Sequence, residues 1–271
     1  MATDADAAGE PVRPGEGAEG FPHGSKYPFV VGMGMMFTGW GLMWNPALIL
    51  GVPLLLWGVW GWTKEYAIDE FERGVIPEQK RQLLGVETGL LGMYVLIVSE
   101  ILIFMGFFVA WFYLDATRGP FPIEGYPAPA LSTGAGMTIL MLVGSATIRY
   151  GRNAALDGDR GGLVRGFGAT FVAGVAFLAL LGSEYSRLMS TGEGLLWTTG
   201  PYGASFYGLT GLHGLHLLGG LALVGVVLYR ARVRGHFSGA RNLMVRTTEA
   251  YWHFLTAVSI AILVFVYFGA N

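Results

Sequence analysis

Seven stretches of this sequence are too long and too apolar to sit in water: about 28–44, 46–63, 87–114, 131–149, 163–187, 203–229 and 248–269. A hydrocarbon core of about 30 Å takes roughly 20 apolar residues of helix, with about 17 to 25 typical. Inside it the backbone must satisfy its own hydrogen bonds, so each run is predicted to be a helix. Only Trp44-Asn45-Pro46 separates the first two. Pro46 fits the first turn of a helix, where its missing N–H costs nothing. The two runs therefore read as a tight hairpin, because one continuous helix would far overrun the membrane. Composition agrees. Of 271 residues 53% are hydrophobic and 13% charged, against about 25% charge in a soluble domain.

Charge placement tests the map. With seven spans, the N-terminus and the second, fourth and sixth loops share one side. That side carries fifteen of the seventeen Lys and Arg residues, and the other holds only Arg118 and Arg187. By the positive-inside rule the rich side is cytoplasmic. The N-terminus is expected inside and the C-terminus outside. Six or eight spans would scramble this segregation.

The expected organisation is an acidic, Gly/Pro-rich, solvated tail over 1–27, a helical hairpin over 28–63, a charged cytoplasmic loop over 64–86 and a five-helix bundle over 87–271. The tail has no apolar core, so it is not read as a signal peptide. The net charge of −2 argues against a nucleic-acid partner. Absence of cysteine excludes disulfides, iron–sulfur clusters and thiolate metal sites.

Charged groups at bilayer depth are costly and are functional suspects. Glu100 lies mid-way along the third run, and His213 and His216 lie in the middle of the sixth. Glu249 and His253 fall in the first turns of the seventh, and Glu184 near the outer end of the fifth. Glu100 reads either as a proton-exchanging or lipid-binding group, or as a neutral carboxyl joining two helices. His213 and His216 share one helix face. They are better suited to interhelical hydrogen bonds than to haem or metal, with Glu100 a candidate partner. Glu249 suits a helix N-terminal dipole. Trp40, Trp44, Trp57, Trp60, Trp62 and Trp111 read as an interfacial belt. Trp62, two residues before Lys64, is also placed to cradle a lipid head group.

Three stretches together resemble the cytochrome c oxidase subunit III family. Ser99-Glu100-Ile101-Leu102-Ile103-Phe104-Met105-Gly106-Phe107-Phe108 is similar to its S-E-x-x-x-F-x-G-F-F segment. Thr210-Gly211-Leu212-His213-Gly214-Leu215-His216 is similar to T-G-F-H-G-L-H, and Tyr251-Trp252-His253-Phe254 reproduces Y-W-H-F. Weaker matches at Trp62-Thr63-Lys64-Glu65, Glu184-Tyr185 and Gly203-Ala204-Ser205-Phe206-Tyr207 fall in the same order. The family commonly has Asp two residues after Y-W-H-F. Leu255-Thr256 stand there in this chain, so no role for that carboxylate carries over.

The resemblance implies an all-α membrane protein whose hairpin and five-helix bundle form a V-shaped, lipid-filled cleft. It implies a non-redox accessory subunit of a proton-pumping haem-copper terminal oxidase, packed mainly against subunit I, with subunit II in the same complex. Such a subunit binds structural phospholipids and supports proton uptake and stability of the catalytic subunit. Glu100 then takes the carboxylate role, Trp62 and Arg230 the lipid head-group roles, and His213, His216 and His253 the interior histidine roles. Haem and copper are expected only in partner subunits, and no catalytic centre or metal in this chain. A prokaryotic plasma membrane is the expected location.

The sequence does not separate a cytochrome c oxidase from a quinol oxidase or a nitric-oxide-reducing complex. A proton-coupled transporter using Glu100 and the histidines, or a seven-span sensor or lipid-binding scaffold, are readings of a different class. The absence of internal repeats counts against the transporter.

Overall fold

The computed structural model describes residues 25–41, 46–65, 87–192, 194–234 and 242–269. The expected tail up to residue 24, Trp44, most of the 64–86 loop, His23, His236 and the last two residues lie outside the described residues. The described chain is helical, and it divides into two compact units, Met1–Glu78 and Gln79–Asn271.

The first unit holds α1 (Tyr27–Gly41) and α2 (Pro46–Lys64). Pro46 begins α2 as its side chain requires, and Pro53 lies inside it. The two helices pack along one another through small residues. A Cβ added at Gly34 would come within 2.5 Å of the Leu55 backbone. In lipid, such close approach replaces the hydrophobic drive that joins helices in water. Ser25 Oγ donates to Glu65 Oε2 at 2.6 Å, tying the start of the hairpin to its end.

The second unit holds α3 (Thr88–Arg118), α4 (Leu131–Leu156), α5 (Arg160–Ser190), α6 (Gly200–Tyr229) and α7 (Leu243–Ile262). Short π-helical turns extend α6 through Arg230–Arg234 and α7 through Leu263–Tyr267. The α4 helix packs on α5 and α7, α5 on α6, and α6 on α7, while α3 lies against α6 and α7. The turn from α4 to α5 is three residues long. Gly158, at φ 79°, supplies the left-handed residue it needs. Asp159 then caps α5, its Oδ1 accepting from Gly162 N at 2.9 Å. The cap lets α5 leave at once along α4, and the helices touch where Gly166 meets Gly151. A Cβ at Gly166 would stand 2.5 Å from the Gly151 backbone.

Trp252 anchors the core. It is fully buried, and a Cβ at Gly144 on α4 or at Gly174 on α5 would fall 2.8 and 2.9 Å from its ring. The indole occupies a slot that only glycine leaves open. Outward, α3 exposes Val95, Leu102, Val109 and Phe112, and α5 exposes Val172 and Val175. Apolar surface on this scale requires lipid or a partner in place of water.

Among the described residues six helices are long and apolar enough to cross a membrane. They extend past the apolar runs that predicted them, because a helix need not end where the hydrocarbon does. The first expected span, 28–44, differs: α1 has 15 residues, roughly 22 Å. Residues 42–45 lie outside the described residues. A second correction concerns Trp111. It is 3% exposed, with its ring 4.9 Å from Phe121 and 6.2 Å from Tyr202, and so belongs to the core and not to an interfacial belt. Trp40, Trp57, Trp60 and Trp62 are exposed.

Candidate functional site: buried polar groups and an apolar groove

The intramembrane carboxylate near the middle of α3 turns inward. Glu100 Oε2 lies 2.8 Å from His216 Nε2 on α6. The other nitrogen, Nδ1, lies 2.8 Å from Leu212 O. A carbonyl oxygen only accepts, so Nδ1 carries a proton. Nε2 and the carboxyl then share one further proton, as a carboxylic acid donating to the ring or as imidazolium donating to a carboxylate. The pair is net neutral either way, which is what low-dielectric surroundings demand of two ionisable groups. Phe104, one turn along α3, packs its ring 5.0 Å from that of His216 and screens the bond. Tyr251 OH on α7 donates to His216 O at 3.3 Å. Three helices thus meet at one polar point.

His213 does not share that bond. It is 2% exposed, and neither ring nitrogen has a hydrogen-bond partner among the described residues. The rings of Phe177 and Phe104 stand edge-on to it at 5.4 and 6.3 Å.

Toward the other end of the bundle, Glu249 Oε2 lies 3.4 Å from Arg152 Nε on α4, and its Oε1 lies 3.5 Å from His253 Nε2. His253 Nδ1 is 3.2 Å from Ser145 Oγ, and Ser145 Oγ is 2.7 Å from Thr256 Oγ1. Glu249 is buried and lies beyond the first turn of α7, so the helix-dipole reading gives way to an interhelical ion pair. Thr256, where the family's carboxylate would stand, joins α7 to α4 through a neutral hydroxyl. Nearby, Arg246 Nη1 donates to Glu87 Oε2 at 2.9 Å. Arg230 is 8% exposed, with Nη1 donating to Met244 Sδ at 3.1 Å. Trp62 lies in the last turn of α2, in the other unit.

At the opposite end, Glu184 is buried and accepts from Arg187 at 2.7 Å and from Ala130 N at 2.6 Å, while Arg187 Nη2 donates to Ala128 O at 2.9 Å. This clamp fixes the 119–130 loop onto α5. The sequence singled out Glu184 as a charged group in an apolar run, but not its backbone partners in the loop.

Between α3, α4 and α7 runs a groove of about 810 Å³. Its walls are apolar, from Leu90, Ile97, Ile101 and Phe108 on α3 and Phe254 and Ala257 on α7. One end carries Arg149, Arg152 and Arg246. Arg152 faces Glu249 and Arg246 faces Glu87, whereas Arg149 is exposed and makes no ion pair among the described residues. Guanidinium groups over an apolar slot suit a phosphate joined to alkyl chains. Among the described residues no three His, Cys, Asp or Glu side chains converge as metal ligands would.

Comparison with known proteins places this arrangement. The profile of the family described as Cytochrome c oxidase subunit III matches residues 47–271. A cytochrome c oxidase subunit 3 of Synechocystis sp. is 36% identical over 176 residues, covering 65% of this chain and 73% of the relative. One from Thermostichus vulcanus is 31% identical over 181 residues, covering 65% and 85%. One from Sus scrofa is 28% identical over 263 residues, covering 91% and 95%.

Proposed function

This chain belongs to the cytochrome c oxidase subunit III family, and from that premise we propose that it is the non-redox accessory subunit of a proton-pumping haem-copper terminal oxidase, a stabilising and lipid-binding member of the complex. The family gives it a place in the respiratory chain, in a membrane complex with other oxidase subunits. Subunit I is its main contact and subunit II lies in the same complex. The haems and copper belong to those partners. The chain crosses a prokaryotic plasma membrane with its N-terminus inside and its C-terminus outside, the orientation that the Lys/Arg asymmetry favours.

The single observation that carries the stabilising role is the Glu100–His216 bond. It spends the one carboxylate at the middle of α3 on holding that helix to α6. The groove supports the lipid role. A phospholipid laid along it puts its phosphate against Arg149 and its chains against α3 and α7. Trp62 and Arg230, at the ends of α2 and α6, are assigned head-group contacts at the inner face. Support of proton uptake follows from keeping the catalytic subunit's inner surface ordered and lipid-sealed.

The test is depletion and reconstitution. Oxidase stripped of this chain should start normally, then lose proton uptake and inactivate during turnover, and recover when the chain and phospholipid are restored. Unchanged turnover and proton uptake without the chain would overturn the reading.

A further inference from the structure

A small cavity next to His213 is lined from α4, α5, α6 and α7, with several polar side chains set in an otherwise apolar wall. Its walls include His213 and Thr210 of α6, Thr138 of α4 and Ser259 of α7. Its free volume is about 10 Å³, the size at which a site first admits one water, roughly 10–15 Å³. An imidazole always has hydrogen-bonding capacity at both nitrogens, as one donor and one acceptor or as two donors. His213 is buried with both left unmet by protein. The neighbouring hydroxyls have capacity to spare. Thr210 Oγ1 donates to Phe206 O at 2.7 Å and so accepts from Tyr185 OH at 2.8 Å, leaving it a lone pair. Thr138 and Ser259 meet only at 3.3 Å between their hydroxyls, a long contact. None of the three is hydrogen-bonded to the His213 ring. Polar groups that face a shared void and do not touch are the ordinary setting of a bridging water.

We propose that one water molecule is bound in this cavity, hydrogen-bonded to His213 and to the hydroxyls of Thr138, Thr210 or Ser259, as a joint between α4, α6 and α7. The water gives a ring nitrogen its partner and lets a histidine stand in the core beside Phe104 and Phe177. It explains why a polar ring occupies a place where phenylalanine would otherwise pack. His213 and His216, three residues apart, then do different things: His216 binds α3 directly, and His213 binds α4 and α7 through solvent.

The experiment uses the intact oxidase complex containing this chain. A map resolving ordered water should show a peak within hydrogen-bond distance of a His213 nitrogen and of one of the three hydroxyls. His213→Leu and Thr138→Val should each lower the temperature at which the chain dissociates from the complex. The double variant should lose no more than the worse single one, because both remove the same bridge. An empty cavity, a His213 bonded directly to protein, xenon binding at that position under pressure, or strictly additive losses would each overturn the proposal.

Discussion

Glu100 Oε2 and His216 Nε2 lie 2.8 Å apart although 116 residues separate them in the chain. The contact joins α3, which is mostly exposed, to the interior of the bundle. Because His216 Nδ1 donates to Leu212 O, Nε2 is free to accept from a neutral partner. Glu100→Gln keeps a donor there, so assembly and initial oxidase activity should stay near normal. Glu100→Ala strips the bond and leaves His216 unmet, a cost of about 1–3 kcal/mol. The amount of chain retained on detergent-purified oxidase should fall for Ala and not for Gln. Equal retention in both variants would separate the pair from stability.

Two glycines on α5 should answer oppositely to alanine. Gly166→Ala would press a methyl against the Gly151 backbone, 2.5 Å away. Overpacking of this kind costs about 1–3 kcal/mol. Gly168, two residues on, has nothing within 4 Å of its added Cβ. There the change should be neutral or should gain about 0.5–1 kcal/mol from lower backbone entropy. Thermal dissociation of the chain from the complex reads both.

Arg149, at the groove mouth, makes no ion pair among the described residues. Arg149→Gln should lower the phospholipid retained by the purified complex by about one molecule, measured by lipid mass spectrometry, since a point charge and a bidentate donor are both lost. Arg149→Lys, a cation without the fork, should retain an intermediate amount. Unchanged lipid content in Arg149→Gln would remove the groove from the lipid account.

Orientation is open to a clean chemical test because the chain has no cysteine. Asn271→Cys should react with an impermeant thiol reagent on intact cells. Gln82→Cys, in the charged loop, should react only after lysis. The reverse pattern would invert the topology.

Six of the expected spans were legible because a membrane helix declares itself locally, through length and absence of charge. The suspects for buried polar sites were legible for the same reason: Glu100, His213 and His216 interrupt apolar runs. A bond between Glu100 and one of the two histidines was legible too, but the choice between them was not. Whether His216 or His213 meets Glu100 depends on how α3 is rotated against α6, which no local pattern encodes. Trp111 was misread because a tryptophan near a helix end looks the same whether it faces lipid or, as here, Phe121 and Tyr202. Glu249 was credited to a helix dipole because its true partner, Arg152, lies 97 positions earlier on another helix. Glu184 stood out in the sequence, but its clamp did not, because its loop partners are backbone groups, the Ala130 N–H as donor and the Ala128 carbonyl as acceptor.

The central claim is that this chain works as a redox-silent subunit of a haem-copper oxidase. Tagged chain isolated in mild detergent should carry stoichiometric haem and copper through its partners, visible in the optical spectrum and by metal analysis. The same chain stripped from them should carry neither. Chain that purifies alone from aerobically grown cells, with no haem spectrum in any fraction that contains it, would contradict the account.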